Sequence, residues 1–286
     1  MILVTGAKGV VGQPLCQRLF SQGRTYKAVS RQESTSPIDL QWDLTQSPST
    51  LTRHQLSDIS ILIHCAPIWL LPAHFELLTN AGIKHLVVFS STSVLSKRDT
   101  KDSSEQKLVN QLSDAEDVLM SLCQSNDIQL TILRPSLIYG YGRDQNVSHI
   151  AKFIRRFGFM LLVGKASGLR QPVHADDLAE LALCAANIEK NQQVAYNVAG
   201  RDILTYRQMV EQIFRGLGRR PFIVSIPLWM FRTALIVAAK LTRFSYTAEM
   251  ATRMNQDLSY DYSAASEELG FSPQGFLEQP HRDLTF

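Results

Sequence analysis

The segment Thr5-Gly6-Ala7-Lys8-Gly9-Val10-Val11-Gly12 follows directly on an apolar run, Ile2-Leu3-Val4, and opens onto a stretch of helical period, Gly12–Gln22. Three glycines at intervals of three, set between a strand and a helix, strongly restrict what the chain can become. The first makes the tight turn, the second lets a pyrophosphate approach the backbone, and the third lets helix and strand pack closely. Amide N–H groups at the start of the helix then favour negative phosphates. Gly6, Lys8, Gly9, Val10, Val11 and Gly12 are therefore read as the cradle of a dinucleotide cofactor.

The next 120 residues repeat the theme. Apolar runs at Ile2–Thr5, Tyr26–Ser30, Ile59–Cys65, His85–Ser90 and Gln129–Arg134 alternate with helical segments at Gly12–Gln22, Phe75–Asn80 and Ser104–Ser125. Strands that are apolar throughout, separated by helices, predict βαβ units around a parallel sheet covered on both faces. The expected fold is thus α/β, a Rossmann-like doubly wound parallel sheet. After Pro135 the texture changes to a loop rich in Gly and Tyr, a basic helix around Ile150–Phe157, a helix over Asp176–Asn187 and a strand at Ala195–Val198. The spacing predicts a sheet domain from residues 1–138 and about 173–200. A small mixed, mainly helical cap is expected from about 139–172 and 201–286.

The chain has 286 residues, 45% of them hydrophobic, which is enough for a full core. The formal charge is only +3, and no stretch gathers Lys and Arg into a nucleic-acid stripe. The four cysteines, Cys16, Cys65, Cys123 and Cys184, form no CxxC pair, and the N-terminus shows no export signal, so cytoplasm is the expected compartment. The run Phe222–Phe244 is very apolar, but Arg232 and Lys240 interrupt it, leaving pieces about half the length of a spanning helix. It reads as an amphipathic helix over the core, with a peripheral membrane or protein contact as the alternative and no transmembrane span.

The end of the second strand bears on the cofactor. A carboxylate there would hold the adenosine ribose and repel a 2′-phosphate. This chain has Val29-Ser30-Arg31 instead. Arg31 pairs well with a phosphate, Ser30 can donate to it and Lys8 belongs to the neighbouring loop. NADP is favoured, with NAD as the alternative.

Several further motifs occur in order. They are Asp43-Leu44, His64-Cys65-Ala66, Ser90-Ser91-Thr92-Ser93-Val94, Arg134-Pro135-Ser136-Leu137-Ile138-Tyr139-Gly140, Arg170-Gln171-Pro172-Val173-His174-Ala175-Asp176-Asp177-Leu178-Ala179, Tyr196-Asn197-Val198-Ala199-Gly200 and Leu269-Gly270-Phe271-Ser272-Pro273. Together with the glycine motif they resemble the extended short-chain dehydrogenase/reductase family, the NAD-dependent epimerase/dehydratase group, over nearly the whole chain. The resemblance implies that Asp43 and Leu44 sit beside the adenine. It implies that Cys65, Ala66, Pro67 and Ser90 line the cofactor, and that Pro135 and Leu137 lie along the nicotinamide. Ser91 falls at the family's substrate-hydroxyl position, with Thr92 next if the register slips by one. Tyr139 and Arg170 fall on the substrate side, Arg170 matching an arginine used on a sugar-nucleotide diphosphate. His174 and Asp177 fall where they would hold the loop and cap the next helix.

One departure stands out. The family's acid/base is a Tyr in Tyr-x-x-x-Lys, the lysine lowering the phenol's pKa. Counting back from Arg134 places these roles near Leu108 and Leu112, and no tyrosine occurs between Tyr26 and Tyr139. Tyr139, Tyr141, Lys97 and Lys107 are the remaining groups with suitable chemistry. Two readings stay open: an oxidoreductase or epimerase-like enzyme acting on a sugar or nucleotide sugar, or a dinucleotide-binding regulator or accessory subunit. The span between Cys65 and His85 has room for only one short helix, which makes the family's usual homodimer doubtful.

Other chemistries find no support. There is no HExxH and the seven histidines do not cluster, so no metal is expected. There is no GxSxG. Gly164-Lys165 lacks the upstream glycine of a phosphate loop, and the chain stops too soon after His281-Arg282-Asp283-Leu284 for a kinase catalytic loop.

Overall fold

A computed structural model describes residues 1–31, 39–46, 53–96, 102–188, 193–227, 229–231 and 253–285. The chain divides into two compact units: Met1–Pro135, Ala175–Val198 and Asp261–Ser272 form one, and Ser136–His174, Ala199–Tyr260 and Pro273–Phe286 the other.

The first unit is built on a parallel sheet. Its strands are β1 (Ile2–Thr5), β2 (Tyr26–Ser30), β3 (Asp39–Gln41), β4 (Ile61–His64), β5 (His85–Phe89) and β6 (Gln129–Pro135), joined by a later strand, Gln193–Val198. The spatial order, starting from that later strand, is β6-β5-β4-β1-β2-β3, every pair parallel. β1 and β5 are buried along their whole length, which is why they are apolar but for Thr5 and His85 instead of alternating. Helices α1 (Gly12–Ser21), α2 (Phe75–Asn80), α3 (Ser93–Ser96) and α4 (Ser103–Ser125) fill the crossovers. α4 starts on a side-chain cap, Asp102 accepting from the amides of Ser104 and Glu105. It buries Leu112, Ala115, Leu119 and Cys123 against Leu3, Leu62, Leu86 and Ile132 of the sheet. The order of strand addition reverses between β1 and β4, the chain running outward through β2 and β3 on one side and through β4, β5 and β6 on the other. That is the switch point where such folds open a crevice at the strands' carboxyl ends.

The second unit contributes β7 (Ile138–Tyr139), α5 (Val147–Phe157), β8 (Met160–Val163), β9 (Leu169–Arg170) and β10 (Val173–His174). The chain then returns to the sheet unit for α6 (Ala175–Ala186) and for Gln193–Val198, which is β11. The second unit resumes with β12 (Leu204–Thr205), α7 (Tyr206–Gly216) and β13 (Ile223–Ile226). α5 and α7 bury Val147, Ala151, Ile154, Met209, Val210, Ile213 and Phe214 in a core of their own. Thr205 and Gln208 form a reciprocal capping box at the start of α7.

Two sequence expectations change here. The run Phe222–Phe244 does not begin as a helix. Ile223–Ile226 is strand β13, paired in parallel with β8, and the core-facing Ile223 packs on the second unit's core. Its β-branched residues lie between Pro221 and Pro227, which break helix and suit a short strand. Residue 228 and residues 232–244 lie outside the described residues. The second change concerns Asp261–Ser272, which belongs with the sheet unit and not with the cap, because the helix Ser263–Leu269 packs on β11 and α6.

Candidate functional site

At the carboxyl ends of β1, β2 and β4 lies a cavity of about 890 Å³. Three loops meet in its wall. Gly6, Lys8 and Gly9 come from the turn after β1, Ser30 and Arg31 from the end of β2, and Cys65, Ala66 and Pro67 from the loop after β4. Trp42, Asp43, Leu44 and Thr45 close the side beyond β3, with Trp69 and Leu70 across from them in the crossover to α2.

The glycines explain why the turn after β1 and the loop after β4 touch so closely. Gly6 has φ +69°, and a Cβ there would stand 2.6 Å from the Cys65 carbonyl carbon and 2.7 Å from the Ala66 nitrogen. A Cβ on Gly12 would stand 2.2 Å from the Gly6 oxygen, so any side chain would push α1 away from β1. α1 has no side-chain cap and no acidic residue in its first turn, so its leading amides face no competing carboxylate. The loop after β4 is held from behind by His64. Its Nε2 donates to the Pro67 carbonyl at 3.1 Å, and its Nδ1 accepts from Thr5 Oγ1 at 2.7 Å. Burial lowers the His64 pKa to about 4, so the ring is neutral in that arrangement.

The charged wall is equally organised. The Thr45 amide and hydroxyl both donate to Asp43 Oδ1, at 3.0 and 2.8 Å. These bonds, with a smaller contribution from the Arg31 charge, hold the Asp43 carboxyl below its ordinary pKa. Arg31 is exposed at the strand's end, whereas Ser30 is buried beside it. Burial pushes the Cys65 thiol well above its ordinary pKa, so it is a neutral wall group and no nucleophile. The four cysteines are free thiols.

Other sequence candidates occupy different places. Val11 and Gly12 are buried beneath the loop, and Val10 is partly exposed. Ser90 closes β5, its amide donating to the Leu133 carbonyl at 2.8 Å. Ser91 is partly exposed and bonds locally, accepting from the Ser93 amide at 3.1 Å and donating to the Ser93 hydroxyl at 3.0 Å. Thr92 is buried, and its amide and hydroxyl both donate to the Pro135 carbonyl, at 3.0 and 3.2 Å. On α4, Leu108 is exposed and Leu112 is buried in the core. Lys107 is solvated, and Lys97 lies outside the described residues.

Leu137, Tyr139 and Arg170 belong to the second unit. Leu137 packs against that unit's core. Tyr139 is fully buried there, its hydroxyl donating to the Gly275 carbonyl at 3.3 Å and accepting from the Leu277 amide at 3.1 Å. Arg170 is buried too. Its guanidinium donates to the carbonyls of Leu169, Gln256 and Arg253 at 2.6, 2.9 and 2.6 Å and lies over the Tyr206 ring. The substrate contacts expected of Tyr139 and Arg170 do not fit these surroundings, because both polar groups are engaged by the backbone. His174 is buried with its Nε2 2.9 Å from Asp283.

Sequence reasoning missed Trp42, Thr45, Trp69 and Leu70. Trp42 stands next to Asp43, a residue the family resemblance singles out, and that adjacency was the available signal. It is 2% exposed, and its indole N–H has no hydrogen-bond partner among the described residues.

Known proteins share this architecture. The structure of MoeE5 in complex with UDP-glucose and NAD matches with a TM-score of 0.74 at 20% identity, covering 99% of this chain and 97% of that one. The UDP-glucuronic acid 4-epimerase of Bacillus cereus, in complex with UDP-glucuronic acid and NAD, gives 0.74 at 15% identity over 99% and 97%. At such identities the likeness is one of fold. Among sequences, the Escherichia coli protein YbjS is 25% identical over 97% of this chain and 94% of its own length. The UDP-glucose 4-epimerase of Vibrio cholerae is 22% identical over 97% and 92%. The chain spans half the length of another relative, y4nG of Sinorhizobium fredii, with 24% identity over 68% of this chain. The family model for the NAD dependent epimerase/dehydratase family matches residues 2–76 and 73–199, and with most of the sheet unit inside that match, the chain belongs to this family.

Proposed function

We propose that this chain is an oxidoreductase or epimerase-like enzyme that acts on a nucleotide sugar with a bound nicotinamide dinucleotide. The observation that carries the reading is the cavity at the sheet's switch point, with the glycine turn and the loop after β4 on one side and Arg31 and Asp43 on the other. The residues fit a dinucleotide: glycines where a Cβ would collide with backbone, and a helix start with no side-chain cap and no acidic residue in its first turn. The relatives named above that were crystallised with NAD and UDP-sugars support the same class of ligand.

Gly6, Gly9 and the start of α1 would hold the pyrophosphate. Asp43 and Leu44 would flank the adenine, and Cys65, Ala66 and Pro67 would bound the cofactor from the β4 side. Arg31, with Ser30 and Lys8 on the same wall, favours NADP through pairing with a 2′-phosphate. When bound, the nicotinamide supplies hydride acceptance and return. Ser91, and not Thr92, is assigned to the substrate hydroxyl, because the Thr92 hydroxyl already donates to Pro135. With no tyrosine between Tyr26 and Tyr139, the proton is exchanged by the substrate or by water.

Trp42 and Trp69 both line the cavity, so their fluorescence reports on it. NADPH and NADH titrated into the Trp229→Phe variant are expected to quench emission saturably, NADPH at the lower concentration. Turnover is then assayed with UDP-glucose and UDP-glucuronic acid. Failure of both dinucleotides to bind overturns the reading. Tight binding without turnover supports the second reading, a dinucleotide-binding regulator, which the missing tyrosine motivates.

A further inference from the structure

We propose that the second unit docks onto an anionic lipid bilayer through a surface built from α5, β8 and residues 219–227 with 229–231. α5, β8 and residues 219–227 and 229–231 together carry five Lys and Arg and no Asp or Glu, in a chain whose formal charge is only +3. The rest of the chain is therefore net negative, and the positive charge is concentrated on neighbouring elements of one unit.

The tertiary structure joins these segments. β13 pairs with β8, the Met160 amide donates to the Phe222 carbonyl at 2.9 Å, and Arg219 Nη1 donates to the Ile154 carbonyl of α5 at 2.9 Å. The Phe153 ring bridges Phe157 and Phe159, and the Phe159 ring meets that of Phe222. On this surface Phe157, Leu161, Phe222, Val224, Trp229 and Met230 are 38–67% exposed. Leu161 and Val224 are direct neighbours across the two strands. Arg156, Arg219 and Arg220 are exposed among them, Arg156 lying over the Phe157 ring at 5.3 Å.

Large apolar side chains set among arginines, with no acid within these segments, match the interface of a negatively charged bilayer. There the arginines meet headgroup phosphates while Trp and Phe enter the boundary with the acyl chains. A protein partner fits less well, because the charges of the patch are all of one sign and it offers no acid through which a partner's own cations would fix a register. Nucleic acid fits less well because Leu161, Val224 and Met230 stand exposed between the rings and offer no face on which a base could stack. No helix among the described residues is long and apolar enough to cross a membrane, so the contact is peripheral.

The test is co-sedimentation of the full chain with extruded vesicles of phosphatidylcholine alone or with about 30 mol% phosphatidylglycerol. The protein is expected to sediment with the anionic vesicles at least about tenfold more than with the neutral ones, and to be released by about 0.5 M salt. The paired change Arg156→Glu and Arg220→Glu is expected to weaken binding at least about tenfold. Phe222→Ser with Trp229→Ser is expected to weaken it by a similar factor of about ten while thermal unfolding by circular dichroism stays cooperative. Equal partition onto both vesicle types, or unchanged binding by the charge-reversed variant, overturns the proposal. So does capture of a labelled single-stranded RNA by a protein that ignores the anionic vesicles.

Discussion

Arg31 and Arg170 invite a direct comparison. Arg31 follows β2 and Arg170 ends β9, and the sequence offers each as a partner for phosphate, Arg170 through the family resemblance. Arg31 stands exposed where β2 ends on the cavity wall. Arg170 is folded inward, its guanidinium donating to three backbone carbonyls, two of them more than 80 residues away in the chain. The same side chain thus stands on a cavity wall in one unit and ties down backbone in the other. What separates them is whether the hydrogen-bonding capacity is already committed to the fold.

That difference can be broken by experiment. Arg170→Met keeps the apolar stem and strands buried carbonyls, so it is expected to lower unfolding stability by about 3 kcal/mol. Dinucleotide affinity of the remaining folded protein is expected to stay within about twofold. Urea denaturation and the fluorescence titration check the two halves, and a large loss of affinity at intact stability would return Arg170 to the ligand site. Gly12→Val drives a side chain into the Gly6 carbonyl and is expected to weaken dinucleotide binding about 100-fold, close to 2.7 kcal/mol. Unaltered binding would mean the ligand does not use the glycine turn.

A third prediction concerns pH. Burial lowers the pKa of both His64 and His85 to about 4. Below about 6.5 the unfolded chain takes up protons that the folded chain refuses. The stability from these two rings is therefore complete above that pH and is lost as pH falls toward 4. Between pH 7.5 and 5.5 the two together are expected to cost about 2.5 kcal/mol, read from urea midpoints. Replacing His85 with Leu should remove about half of that slope. A flat profile over this interval would contradict the buried, neutral assignment.

The smallest effect is the most specific. Arg31 is exposed, so Arg31→Asp should leave stability within about 0.5 kcal/mol. It is expected to shift the NADP/NAD affinity ratio about tenfold or more toward NAD. An unchanged ratio would remove Arg31 from the cofactor assignment and leave only the geometric half of the comparison standing.

Much of the sheet unit was legible because its signals are local. A glycine turn works through φ angles and Cβ clearance within a few residues, and buried parallel strands must be apolar whatever surrounds them. The loop after β4 was visible as His64-Cys65-Ala66 for the same reason. The cap was less legible. β13 is a strand only because β8 lies beside it and prolines bracket it, and apolar content alone suggested a helix. Ser263–Leu269 joined the sheet unit because β11 and α6 offered a surface, which no feature of the segment itself announces. Trp42 escaped notice as a wall residue because an isolated tryptophan reads as core until the cavity beside it is seen.

The amino-acid order by itself determined the βαβ alternation, the glycine cradle, the polar end of β2 and the absence of any tyrosine between Tyr26 and Tyr139, all of them properties of short stretches or of composition. Only the tertiary structure decided which polar groups remain available. Ser91 bonds locally and stays partly exposed while Thr92 is tied to Pro135, and Arg31 faces a cavity while Arg170 and Tyr139 are claimed by distant backbone. The physical reason is that a hydrogen-bonding group takes its role from the partners that folding brings to it, and those partners lie far away along the chain.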